Sequence, residues 1–177
     1  MSDRLLWIER RFSFDFPPEH APEILERLRG TPARLDERVG ALPAALRTQR
    51  DPDSEKWSIQ EQAGHLITVE QLFLGRLEDY AAGLATLRPA EMSGQATFAA
   101  DYNAQPVAQV LGEFRAQRAL FLARVEGCEP ALLARSAQHP RLDRPMRLVD
   151  MLFFQAEHDD YHLARITELI RRFGTAG

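Results

Sequence analysis

Apolar residues recur every three or four positions in four long segments of the chain, the spacing that places them along one face of a helix. We predict a helix in each segment, over about 21–42, 59–87, 107–125 and 147–173. The candidate core residues on these faces include Leu28, Leu35, Leu66, Leu77, Phe114, Phe121, Leu152 and Ile166. Connections rich in Pro, Ala, Asp and Arg separate the segments: Pro43–Trp57, Arg88–Gln105 and Gly127–Pro145. The pattern therefore predicts an all-α protein, a four-helix bundle with long connecting loops.

Local signals mark helix ends in two of these segments. Ser58-Ile-Gln-Glu61 matches a capping box, in which the Ser hydroxyl and the Glu carboxylate satisfy main-chain amides at the start of a helix. Gly30-Thr31-Pro32 interrupts the first segment, since Gly can end a helix, Thr can cap the next one and Pro suits a first helical position. The first segment is therefore either two helices or one kinked helix.

The N-terminal residues follow a different pattern. Phe12, Phe14 and Phe16 alternate with other residues, and Pro17-Pro18 ends the alternation, so Leu5–Phe16 is either one short strand or an extended arm. One strand alone makes no sheet, and the all-α class stands. A length of 177 residues fits one domain. We predict a single domain over 1–177, with an arm over about 1–19 and the helical bundle over about 20–173.

Charge and composition exclude several classes of protein. The chain is 45% apolar and 27% charged, which is ordinary for a globular protein. Its 22 basic residues are outnumbered by 26 acidic ones and are interspersed with them, so it lacks the basic face of a nucleic-acid binder. It has neither an apolar run long enough for a membrane span nor a secretion signal at its start. The only cysteine, Cys128, fits a reducing compartment. We expect a cytoplasmic protein that has no nucleic-acid or membrane partner.

Three histidines are candidate metal ligands. His158 and His162 lie four positions apart on the apolar face of the last predicted helix, so both imidazoles can reach one point. Either each ring bonds a neighbouring carboxylate or carbonyl, or the two rings share a metal ion. His65 flanks the apolar face of the second helix and is either a packed ring or the third ligand. Three neutral imidazoles suit zinc or a similar divalent ion and leave a position open for water or substrate.

Two acidic residues also face inward by periodicity. Glu70 falls within the apolar face of the second helix, and Asp159 within that of the fourth. Each is a candidate for one of three roles: an ion pair with an arginine, support for a ligating imidazole, or catalysis as a base. Cys128 is a poor nucleophile, because the acids that flank it raise the pKa of a thiol.

Two motifs taken together resemble those of the DinB-like superfamily. They are Lys56-Trp57-Ser58-Ile59-Gln60-Glu61 followed by His65-Leu66, and Glu157-His158-Asp159-Asp160-Tyr161-His162-Leu163-Ala164-Arg165-Ile166. The resemblance covers roughly residues 20–173. It implies a bundle with an up-down-down-up course and a divalent metal held by His65, His158 and His162, with zinc as the usual ion and nickel as an alternative. It also implies a homodimer.

The functions of the family vary, and the resemblance therefore gives several hypotheses for the function of this chain. Some members are thiol-dependent transferases or isomerases that use bacillithiol, mycothiol or glutathione. We expect such a thiol S-transferase-like enzyme with a small-molecule substrate, in which the open metal position binds the thiol sulfur as a thiolate that attacks an electrophile. The alternative enzyme is a metal-dependent hydrolase, with water at that position and Glu70 or Asp159 as the proton acceptor. A third hypothesis is a non-catalytic protein that binds a metal or a small ligand.

Overall fold

Four long helices dominate the computed structural model, which describes residues 5–51 and 57–174. The helices are α1 (Ala21–Val39), α2 (Ala44–Arg47), α3 (Ile59–Ala81), α4 (Gln95–Ala99), α5 (Val107–Glu126) and α6 (Leu148–Gly174), and the strands are β1 (Ser136–His139) and β2 (Arg144–Arg147). The protein is predominantly helical, as predicted, and α1, α3, α5 and α6 fall on the four periodic segments. Lys56, which opens the first motif, lies outside the described residues. Among the helices described, none has the length and apolar character that crossing a membrane requires.

The start of α3 has the capping box that the sequence predicts. The Ser58 amide donates to the Glu61 carboxylate at 2.8 Å, and the Glu61 amide donates to Ser58 Oγ at 3.1 Å. Arg50 holds the same carboxylate from the preceding connection. Because this cap fixes the first turn of α3, it also fixes the orientation of the helix that carries His65.

The first periodic segment is one helix. α1 runs without interruption through Gly30, Thr31 and Pro32, and both Thr31 and Pro32 are buried in it. It ends at Val39, three residues before the predicted end. The alternative of two helices is therefore wrong, because Gly30, Thr31 and Pro32 do not end the helix.

The sequence analysis missed a two-stranded antiparallel sheet. Strands β1 and β2 pair from Ser136 with Arg147 to His139 with Arg144, inside the connection predicted as a loop. Four-residue strands are too short to show periodicity. The N-terminal segment, by contrast, forms no strand and lies against this hairpin: Arg147 Nη2 donates to the carbonyl oxygens of Phe14 and Phe16 at 3.0 and 2.9 Å. The segment is therefore an arm and not a strand, and it contains a short 3-10 helix at Trp7–Glu9 that the extended-arm alternative did not include.

The four long helices form a ring in which α1 and α3 each pack against both α5 and α6. Their interior holds two apolar clusters. The arm-side cluster includes Leu28, Phe73, Phe121 and Leu152, and the far cluster includes Leu35, Leu66, Phe114 and Ile166. Each long helix contributes to both clusters, so each must pass through the layer that separates them.

A buried polar layer lies between the two apolar clusters. It consists of Thr31, Glu70, Arg118 and Asp159, one residue from each long helix and each at most 2% exposed. Arg118 donates to Glu70 through Nε and Nη2, both at 2.9 Å, and to Asp159 through Nη1 at 2.6 Å. Thr31 Oγ1 donates to Asp159 at 2.8 Å. The layer therefore ties all four helices together at mid-height.

Candidate metal centre and its cavity

The structure brings His65, His158 and His162 together. His65 comes from α3 and the other two from α6, and one ring nitrogen of each lies within 4.8 Å of the others. The two Nε2 atoms of His158 and His162 are 3.1 Å apart. Helical spacing brings His158 and His162 together, since residues four apart lie one above the other on a helix. The packing of α3 against α6 supplies the third ring.

Hydrogen bonds fix which nitrogen of two rings remains available. His162 Nδ1 lies 2.7 Å from Gln62 Oε1, an acceptor, so this nitrogen carries the proton. His65 Nδ1 lies 2.9 Å from Thr97 Oγ1. In both rings Nε2 is the nitrogen left to face the cluster. His158 Nδ1 is buried and has no hydrogen-bond partner among the described residues.

The surroundings of the cluster keep the imidazoles of His65 and His158 neutral. Burial, followed by the charges of Arg118 and Arg141, lowers the pKa of His158 to about 3. Burial, and then His158, lowers the pKa of His65 well below its ordinary value. A neutral imidazole offers a lone pair, and metal binding requires that form. Near neutral pH these two rings are therefore in the state that a cation needs.

Aromatic side chains enclose the cluster from two sides. Trp57 lies over His65 with ring centroids 4.2 Å apart, and Trp7 of the N-terminal arm meets His158 edge-on at 5.0 Å. Gly94, just before α4, has a φ of +74°, and a Cβ there would come within 2.9 Å of the Trp57 ring. Glycine thus lets this loop close over Trp57 while α4 presents Thr97 to His65.

A cavity of about 780 Å³ opens beside the three histidines. Its wall is formed by α3, α6, the arm, the segment that includes α4, and the β1–β2 hairpin, through side chains that include Trp7, Trp57, Thr68, Phe73, Arg76, Glu91, Met92, His139, Arg141, Phe154 and Tyr161. This volume suits a small organic molecule. The cavity places such a molecule in reach of any ion held by the histidines.

The inward acids do not touch the histidines. Among the described residues, the hydrogen bonds of Glu70 and Asp159 all go to Arg118, Gln155 and Thr31. Of the three roles considered for these acids, the ion pair with an arginine is the one observed. Burial opposes the charge of Arg118, but the two carboxylates hold its pKa above the ordinary value. Neither acid has a contact that would let it support an imidazole.

Four residues of the site were missed from the sequence: Gln62, Thr97, Trp7 and Arg141. Gln62 had a signal, because it lies three positions before His65 on the same helix and is buried. The other three come from the N-terminal arm, the short helix α4 and a hairpin turn, which are too short or too irregular for a periodic pattern to assign a face. The thiol of Cys128 stays outside the site and donates to the Arg124 carbonyl; burial raises its pKa.

Comparison with solved structures shows the fold. YfiT from Bacillus subtilis, described as a probable metal-dependent hydrolase with an unusual four-helix bundle topology, is similar with a TM-score of 0.78 and 19% identity, over 93% of this chain and 94% of that one. A mycothiol-dependent maleylpyruvate isomerase is similar with a TM-score of 0.66 and 11% identity, over 85% of this chain and 60% of that one. Comparison with curated proteins gave no match. The family model described as the DinB superfamily matches residues 27–166, a range that includes all three histidines. The chain therefore belongs to the DinB superfamily.

Proposed function

We propose that this chain is a divalent-metal-dependent enzyme that joins a low-molecular-weight thiol to a small electrophilic substrate. The observation that carries the proposal is the position of three clustered imidazoles at the wall of a cavity of about 780 Å³. His65, His158 and His162 are the proposed ligands. A site for a purely structural ion needs no such cavity, whereas a reacting molecule does.

The donor set fits a divalent ion such as zinc, with nickel as the alternative. Two imidazoles that bind one tetrahedral ion at about 2.0–2.1 Å have their nitrogens about 3.4 Å apart. His158 Nε2 and His162 Nε2 are 3.1 Å apart, close to that separation. The contact of His162 with Gln62 supports the fit, since ligating imidazoles commonly donate their other N–H to an oxygen acceptor. Three protein ligands leave a position open to the cavity.

The surrounding residues favour thiol chemistry over hydrolysis. An ion in the open site would lower the pKa of a thiol that binds it, so that the proton leaves to solvent and the sulfur becomes nucleophilic. That step needs no protein carboxylate. Hydrolysis is helped by a carboxylate base near the metal, and both candidates, Glu70 and Asp159, are held by Arg118. In the transfer itself, the thiolate sulfur forms a bond to a carbon of the electrophile as the bond from that carbon to a leaving group breaks, and the leaving group departs with the electron pair of that bond.

Cobalt substitution tests this proposal. The protein is loaded with one Co²⁺ per chain and titrated with glutathione and with 2-mercaptoethanol, while the near-ultraviolet absorption is recorded. We expect a thiolate-to-cobalt band that saturates with thiol, and we expect no band in His162→Ala, which lacks one ligand. Full cobalt loading without a band at any thiol concentration would contradict the proposal.

The hydrolase remains the second candidate, and one observation supports it. Glu91 is a carboxylate in the cavity wall, and Ser93 lowers its pKa by hydrogen bonding. YfiT carries the description of a probable metal-dependent hydrolase. Metal-dependent hydrolysis of an activated ester, lost in Glu91→Gln, together with no thiolate band would favour this function. Metal binding with neither activity would favour a binding protein.

The proposal also includes the course of the chain and its assembly. The N-terminal halves of α1 and α6 share the arm-side cluster with the C-terminal halves of α3 and α5. This arrangement supports an up-down-down-up course. We propose a homodimer in a reducing compartment such as the cytoplasm, and light scattering on the purified protein tests the dimer.

A further inference from the structure

Arg76 is a buried cation that forms no ion pair with an acidic side chain in the part of the chain that the structure describes. It lies on α3 in the cavity wall and is only 2% exposed. Its Nε donates to the Arg88 carbonyl at 3.1 Å, and its Nη1 lies 3.2 Å from His139 Nε2. The neighbouring carboxylate of Asp79 accepts from Arg88 instead. Burial lowers the pKa of Arg76 to about 10, so it keeps its charge at neutral pH.

Arg141 is a second cation in the same wall. It lies in the turn between β1 and β2, and its Nη2 is buried with no hydrogen-bond partner among the described residues. The guanidinium faces the rings of Phe154 and Trp7, at 5.6 and 6.0 Å from their centroids. Aromatic faces attract a cation but satisfy none of its N–H donors.

This arrangement costs stability in the free protein. Two carboxylates neutralise Arg118, whereas Arg76 and Arg141 repel each other and form no ion pair with a carboxylate among the described residues. Asp79 attracts Arg76, but its hydrogen bonds go to Arg88. A buried charge without an ion-pair partner is unfavourable. The unsatisfied Nη2 of Arg141 points to a ligand that supplies the missing negative oxygen atoms. Guanidinium groups suit a carboxylate or a phosphate, since their paired N–H donors match two oxygens.

We propose that Arg76 and Arg141 form an anion subsite in the cavity, which binds a carboxylate or phosphate group of the molecule that reacts at the histidines. The statement that the bound molecule reacts at the histidines rests on the proposed function. The statement that Arg76 and Arg141 bind an anion does not. The histidine cluster and the arginine pair share one cavity, and Trp7 contacts both of them: its ring centroid lies 6.0 Å from Arg141 Cζ and 5.0 Å from the ring centroid of His158. The substrate class is therefore a small organic anion, held by its charged end.

Calorimetric titration of the metal-free protein tests the subsite without any contribution from catalysis. The probes are succinate and inorganic phosphate, and succinamide is the neutral match for succinate. We expect one saturable site for succinate or phosphate, and at least tenfold weaker binding of succinamide. In Arg141→Met, anion affinity should fall by about 10-fold or more, and Arg141→Lys should restore part of it.

Two controls keep the result interpretable. Arg124→Met removes an exposed arginine of α5 and should leave anion affinity unchanged. Arg141→Met should be no less resistant to urea than the wild type, because it removes an unpaired buried group, and this shows that lost binding is not lost folding. The proposal is overturned if neither anion binds, if succinamide binds as well as succinate, or if Arg141→Met binds anions as tightly as the wild type.

The anionic group belongs either to the thiol or to the electrophile, and the cobalt-loaded protein separates these sources. If succinate raises the glutathione concentration at which the thiolate band reaches half of its maximal absorption, the subsite holds a carboxylate of glutathione. If succinate and glutathione bind together without competition, the subsite holds the electrophile. A missing cobalt band would count against the proposed function, whereas missing succinate binding would count against the subsite alone.

Discussion

Arg118 Nη1 lies 2.9 Å from the carbonyl oxygen of Leu28, the acceptor that a helical N–H at position 32 would normally satisfy. Pro32 has no N–H, so it leaves that carbonyl without its bond inside α1. A side chain from α5 supplies the missing donor. The same guanidinium also neutralises Glu70 and Asp159, so one residue satisfies both the interrupted helix and the buried acids.

Removal of Arg118 should therefore be strongly destabilising. Arg118→Met leaves two buried carboxylates unpaired and the Leu28 carbonyl without a donor. We expect a loss of about 3–5 kcal/mol in the free energy of unfolding, measured by urea denaturation. The matched control Arg124→Met, at an exposed position of α5, should change it by no more than about 0.5 kcal/mol. A loss below about 1 kcal/mol in Arg118→Met would show that the polar layer contributes little.

A double-mutant cycle tests the link between Arg118 and Pro32. Pro32→Ala restores the N–H that can bond the Leu28 carbonyl. In the wild type that oxygen already has a donor, whereas in Arg118→Met it has none, so the substitution should be more favourable in the second background. We expect a coupling of about 1 kcal/mol between the two changes in unfolding free energy. Strict additivity would mean that the Arg118–Leu28 bond does not compensate for the proline.

The sequence predicts the four long helices well because each carries its own apolar face. It did not decide whether α1 is one helix. The donor that replaces the N–H missing at Pro32 comes from Arg118, 86 positions further along the chain. For the same reason the partner of Glu70 and Asp159 was not identified, although an arginine was among the alternatives. Contacts between residues that are far apart in the sequence do not affect the local spacing of apolar residues from which the helices are predicted.

The candidate site was predictable only where helices carry it. Helical spacing paired His158 with His162, and the family resemblance added His65, which the structure places beside them. Trp7, Thr97 and Arg141 reach the cavity from the arm, from the short helix α4 and from a hairpin turn. Such short or irregular segments show no periodic pattern in the sequence, so the directions of their side chains depend on tertiary packing.

The hydrogen bonds behind the histidines should tune metal affinity. Gln62→Leu removes the acceptor of His162 Nδ1, and Thr97→Val removes the partner of His65 Nδ1. Each variant should bind Zn²⁺ about 10- to 100-fold more weakly, because the imidazole loses its fixed orientation. Competition with a chelating indicator measures this affinity. Gln71→Ala, at an exposed position of α3, is the control, and equal affinity in all four proteins would refute the positioning role.

Acid should destabilise the metal-free protein partly through His139. Burial, followed by repulsion from Arg76 and Arg141, lowers the pKa of His139 to about 4 in the folded state. The unfolded chain has a pKa of about 6.5 and binds the proton first, so stability is lost as the pH falls from about 6.5 to about 4. His158, with its pKa lowered to about 3, acts in the same direction.

His139→Gln isolates this contribution. It should reduce, without abolishing, the decrease in urea midpoint between pH 7 and pH 5, because His158 still titrates below its ordinary pKa. The measurement is made in the presence of a chelator so that metal loss does not add to the effect. An identical decrease in the wild type and the variant would contradict the assignment of His139 as an uncharged buried ring.

The metal content of the purified chain, by mass spectrometry of the bound elements, tests the central claim most directly. The account predicts one divalent ion per chain in the wild type and in His20→Ala, which changes an exposed histidine outside the cluster. It predicts loss of that ion in each of His65→Ala, His158→Ala and His162→Ala. A wild type that binds no divalent ion even when it is offered in excess, or a cluster variant that keeps a full ion, would contradict the three-histidine metal centre.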